Sequence, residues 1–365
     1  MGAGNFLKNA WDATAGTVQS GLKAASVAME TAEDVAVAAI VQGQAILTGA
    51  RTVSVLAQVP TYAMAQVAAL VFAKVPQLFS ADTIESIISP CPLNNQQRLA
   101  NSLLYDQNLL AKAAANGLQN NPSVAALQKA AIAKAQALMS DDVYKDAATV
   151  QIPGYQRLTN DQIDKLMGRG ASAAFDSASP NFHAALYEST IHPGQYTLAF
   201  RGTDPTQQSD LVTDANNALG LQTGAYGNAI SLAKQVSRTI SRIPGATMEV
   251  TGHSLGGGLA QAASARTGAT GNVFNAAGYD PGTFPQTGGK NPSQNLTDYT
   301  VAGEPLTTFQ NSVVGVPAAL AQQVTIPGPL SAGLLGLHGM DSVESGMKGI
   351  AKGTESDVSR LVNSP

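Results

Sequence analysis

The sequence predicts an α/β fold: a largely parallel central sheet flanked by helices, preceded by an α-helical region. Three observations point to it. From Phe182 onward, short strand-like runs alternate with helical stretches, the pattern of strands joined by crossover helices. One of those strands runs into a helix through a glycine-flanked turn, "VTGHSLGGGLAQ", Val250 to Gln261. The chain before about residue 140 is rich in alanine and reads as helix.

Residues 1 to 90 are alanine- and valine-rich and read as helical. Within them, 52–73 carries no charge and is long enough to span a bilayer, although Gln58, Pro60 and Gln66 interrupt it. A helical hairpin broken at Pro60 is the expectation there, with membrane insertion as the alternative. "SPCPLNNQQ" from Ser89 is a break. Helices follow at Gln97–Asn116 and Ser123–Leu138, the second with Val124, Leu127, Ala131, Ala135 and Leu138 on one face. Ser140, Asp141 and Asp142 read as the start of a new helix. "IPGY" at 152–155 is a turn. "FHAALYEST" and "QYTLAFRGT" are strands, with Pro193-Gly194 as the hairpin signal between them. "AYGNAISLAKQVSRTI" is an amphipathic helix with Ile230, Ala233, Val236 and Ile240 along one stripe. "TMEVT" is the strand before the glycine turn, and Leu255–Arg266 the helix after it. "GNVFNAAG" and "LTDYTVAG" are further strands. From Pro305 to Leu337 no charge occurs, and four prolines rule out one spanning helix. This long connection is expected to wrap the core or to form an apolar wall or lid. The expected division is a helical region at 1–140 that meets membrane or partner, a catalytic α/β domain at 141–350, and a tail at 351–365.

Bulk properties narrow the function. Of 365 residues only 13% are charged, and the net charge is −4, so no basic field for nucleic acid exists. The single Cys91 excludes an internal disulfide and a cysteine-based metal cluster. The amino terminus, "MGAGNFLKNAWDATAG", has no signal-peptide pattern, because Lys8 and Asp12 interrupt any apolar core. The chain is therefore expected to be made in the cytoplasm and to leave, if it leaves, without a cleaved signal.

The glycine turn carries the chemistry. A sharp strand-to-helix turn crowds the residues two before and two after its apex, and here these are Gly252 and Gly256. Such an elbow lifts the hydroxyl of Ser254 above the sheet, at a helix N-terminus whose free N–H groups favour negative charge. A nucleophilic serine needs a base, an acid that orients the base, and donors for an oxyanion. Only four histidines exist, and His338 alone follows Ser254. His253 lies on the elbow itself and is expected to pack beneath it. For the acid, Glu304 sits at a strand end, and Asp280 is the alternative. Asp298 begins its strand, at the wrong edge. The oxyanion donors are expected from Leu255 and from Thr203, which ends the "FRGT" turn after the strand "TLAF". No metal ligand set or cofactor motif is read, and calcium dependence is left open.

"FRGT" at 200–203 and "GHSLGGGLA" at 252–260 together resemble the class 3 lipases, a group with the α/β-hydrolase fold. "SDLVTDANNAL" at 209–219, with Asp210 and Asp214, resembles the segment after their oxyanion strand. "VFNAAGYDPGT" is similar to the strand after their elbow helix. "YTVAGEPL" falls where that family carries an aspartate, and this chain has glutamate. The likeness covers about 140 to 350. The signal-less helical region, with the run from "DVYKDA" to "IPGY", resembles bacterial type VI secretion phospholipase effectors. These resemblances imply an ester hydrolase, phospholipase A-type, acting on the membrane phospholipids of a target cell from its periplasm. They imply a cognate immunity protein and the secretion machinery as partners. A membrane-inserting toxin with a passive hydrolase fold and a cytoplasmic esterase for soluble esters stay open as alternatives.

Overall fold

The computed structural model describes residues 93–145, 151–177, 182–203, 223–279, 294–313, 316–329 and 332–363. The uncharged stretch 52–73, Cys91, Asp210, Asp214 and the alternative acid Asp280 lie outside the described residues.

Asn94 begins the first described helix, α1 (Asn95–Ala115), with a capping box: its side chain accepts the Gln97 N–H and the Gln97 side chain accepts its own N–H. Asn121 and Pro122 start α2 (Pro122–Asp142). The two helices pack on each other through Leu99, Leu103, Ala131, Ala135 and Leu138, all buried. Ser140, Asp141 and Asp142 do not open a new helix; they form the last turn of α2. Tertiary bonds occupy all three side chains, with Asp141 accepting from Gln96 Nε2 of α1. Ser140 Oγ lies 2.9 Å from Thr251 Oγ1, and Asp142 accepts the Tyr187 hydroxyl at 2.7 Å. A capping side chain acts only where the preceding backbone leaves the helix, and here it does not. The boundary drawn at 140 thus falls within a continuous helix.

The strands are β1 (Tyr155–Arg157), β2 (Asp176–Ser177), β3 (Phe182–Ser189), β4 (Gln195–Phe200), β5 (Thr247–His253), β6 (Thr270–Phe274), β7 (Leu296–Val301) and β8 (Gln322–Ile326). They lie in the order β1-β3-β4-β5-β6-β7-β8, with β2 also paired to β3. From β4 to β8 all neighbours are parallel, and β1, β2 and β3 add an antiparallel edge. The described helices between and after the strands are α3 (Asn160–Met167), α4 (Thr223–Ile240), α5 (Leu255–Thr267), α6 (Pro305–Ser312), α7 (Leu334–His338), α8 (Met340–Met347) and α9 (Lys352–Asn363).

Side chains alternate across the sheet with a period of two. Ala185, Tyr187, Ala199, Phe274 and Val301 share a core with Leu138 and Met139 of α2. Leu186, Leu198, Phe200, Val250 and Val273 share the opposite core with Leu232 and Val236 of α4 and Leu259 of α5. So α2 covers one face of the sheet, and α4 and α5 cover the other. The uncharged run 305–337 is not one long loop. It contains α6, the edge strand β8 and most of α7. Its middle is pinned to α5: Leu320 N–H donates to Gln261 Oε1 at 2.7 Å, and Pro317 lies against Gly278. No helix among the described residues is long and apolar enough to cross a membrane.

Residues 351–365, read as a tail, hold α9. Val358 and Val362, one turn apart, bury against Leu109, Val124 and Leu127. A buried charge cluster ties the same three helices together. Lys134 Nζ lies 2.7 Å from Asp106 and 2.9 Å from Glu355, and it donates to Ser102 Oγ at 2.9 Å. Removing one partner from such a site leaves uncompensated charge. Lys134→Met is therefore expected to cost about 3–5 kcal/mol of stability, read from denaturant unfolding.

Three other carboxyls, buried Asp298 and Glu344 and half-buried Glu249, form no ion pair among the described residues. Burial holds Glu249 up at about 7 and Asp298 at about 7. Burial, helped by Asp141 and Asp341, holds Glu344 at about 9. Each folded value lies above the unfolded one near 4. The stability these groups contribute is present below about pH 4 and is lost as pH rises through about 7 to about 9. His253 works oppositely: burial depresses it to about 3, so its contribution is present above about pH 6.5 and lost as pH falls. The expected outcome is a lower melting temperature at pH 9 than at pH 6.5, and Glu344→Gln should flatten that difference.

Candidate active site

At the end of β5 the chain turns into α5 through Ser254, at φ 57° and ψ −126°. A residue with a Cβ reaches positive φ only at a cost, and such strain concentrates at functional positions. Main-chain bonds hold the turn. Ser254 N–H donates to Phe274 O at 3.1 Å, and its carbonyl accepts Gly257 N–H and Ala277 N–H at 2.9 Å each. A Cβ at Gly252 would fall on the main chain of Gly256, so the turn closes only over glycine. A Cβ at Gly256 would fall on the carbonyl of Phe200. The absence of that atom lets 200–202 lie against the start of α5. Thr203, half-buried, leads on from this segment. Leu255, buried, stands in the first turn of α5, where helix N–H groups have no partner within the helix.

His338 ends α7 and is buried. Its Nε2 lies 2.9 Å from Ser254 Oγ, and its Nδ1 lies 2.8 Å from Glu304 Oε2. A carboxylate only accepts, so Nδ1 donates to Glu304. In the neutral ring Nε2 is then free to accept the serine proton. Glu304 follows β7 and is the N-cap of α6. Its Oε2 accepts the Leu306 N–H at 3.0 Å, and its Oε1 accepts the Thr307 N–H. The longer glutamate thus folds back over its own helix start and still reaches the imidazole. Pro305 at the first helical position needs no N–H partner there.

His253 does pack beneath the elbow, ring to ring with His338 at 4.9 Å. Its Nε2 lies 2.7 Å from the main-chain carbonyl of His338, and its Nδ1 lies 2.9 Å from the Tyr144 hydroxyl. A carbonyl accepts only, so Nε2 carries a proton. Burial and the neighbouring His338 hold the ring near 3, so it is neutral, and Nδ1 accepts from Tyr144. The same carbonyl of His338 takes a second bond from Asn275 Nδ2 at 2.8 Å. Asn275 is fully buried at φ 43°, and its side-chain oxygen accepts the Val301 N–H at 2.8 Å. Sequence reasoning missed Tyr144 and Asn275. Asn275 stands one residue past β6 and Tyr144 two past α2, and nothing in their local sequence marks them. Among the described residues no group of three or more His, Cys, Asp or Glu side chains is arranged to hold a metal ion.

A mostly parallel sheet flanked by helices, with a serine elbow after β5 and the candidate acid and base after later strands, defines an α/β-hydrolase-like fold. Residues 135–356 match the family model described as phospholipase-like, the Tle-like phospholipase domain. The extracellular phospholipase A1 of Serratia liquefaciens is 30% identical over 246 residues, which cover 64% of this chain and 70% of that protein. The chain belongs to the Tle-like phospholipase family, and its class of activity is lipid ester hydrolysis.

The approach of 200–202 to α5 gives a direct test. Gly256→Ala is expected to push the two apart and lower turnover by about 100-fold, as loss of an oxyanion donor does. Gly268→Ala, at φ 79° in open space after α5, should cost about 1 kcal/mol of stability and leave turnover unchanged. Turnover measured beside melting temperature separates the two effects.

Proposed function

We propose that the chain cleaves an acyl ester of a membrane phospholipid through an acyl-enzyme on Ser254, as a phospholipase A-type enzyme. The observation that carries this reading is the unbroken line Ser254 Oγ–His338–Glu304, at 2.9 and 2.8 Å. Ser254 Oγ attacks the ester carbonyl as its proton passes to His338 Nε2. Glu304 holds Nδ1–H and stabilises the imidazolium. The N–H groups of Leu255 and Thr203 take the charge that develops on the carbonyl oxygen. Collapse expels the lysophospholipid alkoxide, which leaves with the proton from His338. Water, deprotonated by the same imidazole, then releases the fatty acid and restores the serine.

The antibacterial setting is part of the same proposal. The relative from Serratia liquefaciens is described as extracellular, and the family is that of Tle-like phospholipases. Both support export and action on the membrane of another cell, reached from its periplasm. A secretion machinery and an immunity protein in the producer follow from that role.

Vesicles of bacterial phospholipid, with products read by mass spectrometry, test the chemistry. Wild type should yield one free fatty acid and one lysophospholipid per cleavage. Ser254→Ala should lose turnover by about 10⁴-fold or more while staying folded. A fluorophosphonate probe should label Ser254 alone. Release of a trapped dye by the Ser254→Ala protein would instead favour a membrane-inserting toxin. High turnover of short soluble esters, with none on vesicles, would favour a soluble esterase.

A further inference from the structure

Buried polar groups near a reacting centre must be satisfied, and the bonds that satisfy them also fix geometry. The main-chain carbonyl of His338 is such a group. Both of its lone pairs are taken, by His253 Nε2 at 2.7 Å and by Asn275 Nδ2 at 2.8 Å. The two donors come from the ends of two neighbouring parallel strands: His253 ends β5, and Asn275 follows β6. Behind His253 stands Tyr144, whose hydroxyl also lies close to where a Cβ on Gly202 would sit. A single line of contacts thus runs from the segment before Thr203, through Tyr144 and His253, to the residue that carries the candidate base.

We propose that His253, oriented by Tyr144, is a positioning residue for His338: it clamps the main chain of the base so that Nε2 meets Ser254 Oγ. His253 makes no contact with Ser254 Oγ or Glu304 among its hydrogen bonds, so it acts through His338. Its protonated Nε2 is the working atom, and the Tyr144 O–H selects that tautomer by occupying Nδ1. The ring is buried, and both of its nitrogens are taken by protein partners. Loss of the clamp therefore loosens the proton transfer and leaves substrate binding alone. This inference rests on the proposed roles of Ser254 and His338.

The test is steady-state kinetics of the full chain on phospholipid vesicles, with each variant checked for its melting temperature. His253→Leu removes the donor and should lower kcat by about 10- to 100-fold with KM unchanged, in line with the cost of small misplacements at a reacting centre. His253→Gln places an amide N–H where Nε2 stood and should restore kcat to within a few fold of wild type. Tyr144→Phe keeps the ring and frees Nδ1, so it should lower kcat by about threefold to tenfold, again with KM unchanged. If His253→Leu fails to fold, Tyr144→Phe and the ranking of His253→Gln decide. Wild-type kcat in Tyr144→Phe or in folded His253→Leu, or equal losses in kcat and affinity, would overturn the proposal. Ser254→Ala and His338→Ala serve as separate controls: activity in either would overturn the underlying roles, whereas two inactive controls beside an unaffected His253→Leu would overturn the clamp alone.

Discussion

A serine at φ 57° is held there against its own preference. Backbone strain of this kind costs about 1–3 kcal/mol and persists only where the surroundings fix it. Much of the described structure around the site does that fixing. The Ser254 amide and carbonyl are bonded to β6, to α5 and to the segment after β6. Gly252 and Gly256 remove the atoms that would prop the turn open. Once the turn is closed, Gly256 allows 200–202 to lie against α5. The elbow therefore also sets where the expected oxyanion donors stand. A larger residue at either glycine would disturb the turn, the helix and the neighbouring loop together.

The second organising feature is polar and lies on the α2 side of the sheet. Thr251, His253 and Asn272 face α2 rather than an apolar partner. Thr251 Oγ1 donates to Asn272 O at 2.7 Å, and Gln136 Oε1 accepts the Asn272 N–H at 2.8 Å. Nearer the site, Asn275 and His253 meet at the His338 carbonyl. Hydrogen bonds are directional, whereas apolar packing is not. A seam of satisfied bonds fixes the height of α2 and the approach of the base more tightly than a greasy contact would. The cost on this side is a pair of carboxyls, half-buried Glu249 and buried Glu344, that hold their protons into the neutral or alkaline range.

The parts legible in the sequence are those whose cause is local. Strands β3 to β7 are short runs rich in aliphatic, aromatic and β-branched residues, several buried along most of their length, and the elbow glycines are unmistakable because no other residue fits there. His338 could be reached because no other histidine follows Ser254, and Glu304 because it closes a strand. Less legible were elements whose cause is distant. The strand β8 presents Gln322, Gln323, Val324 and Thr325 to solvent and buries only Ile326, so it has no apolar period to read. Helix α9 depends on two valines and an ion pair to a lysine far back in the chain. Ser140, Asp141 and Asp142 carry the composition of a helix start, yet the sheet claims Ser140 and Asp142 from above. Tyr144 and Asn275 belong to the same group, since each matters through an atom it touches on another element.

From β3 the sheet adds its strands in chain order, so the pieces of the site arrive one after another. The serine elbow lies between β5 and β6, the glutamate closes β7, and the histidine follows β8, 84 residues beyond the serine. Under the proposed mechanism a growing or refolding chain holds a finished elbow and no base until its last layer docks. Hydrolytic power then switches on at the end of assembly rather than building up with it. An incomplete copy, cut anywhere before His338, would be chemically silent at this site however well its earlier strands had folded.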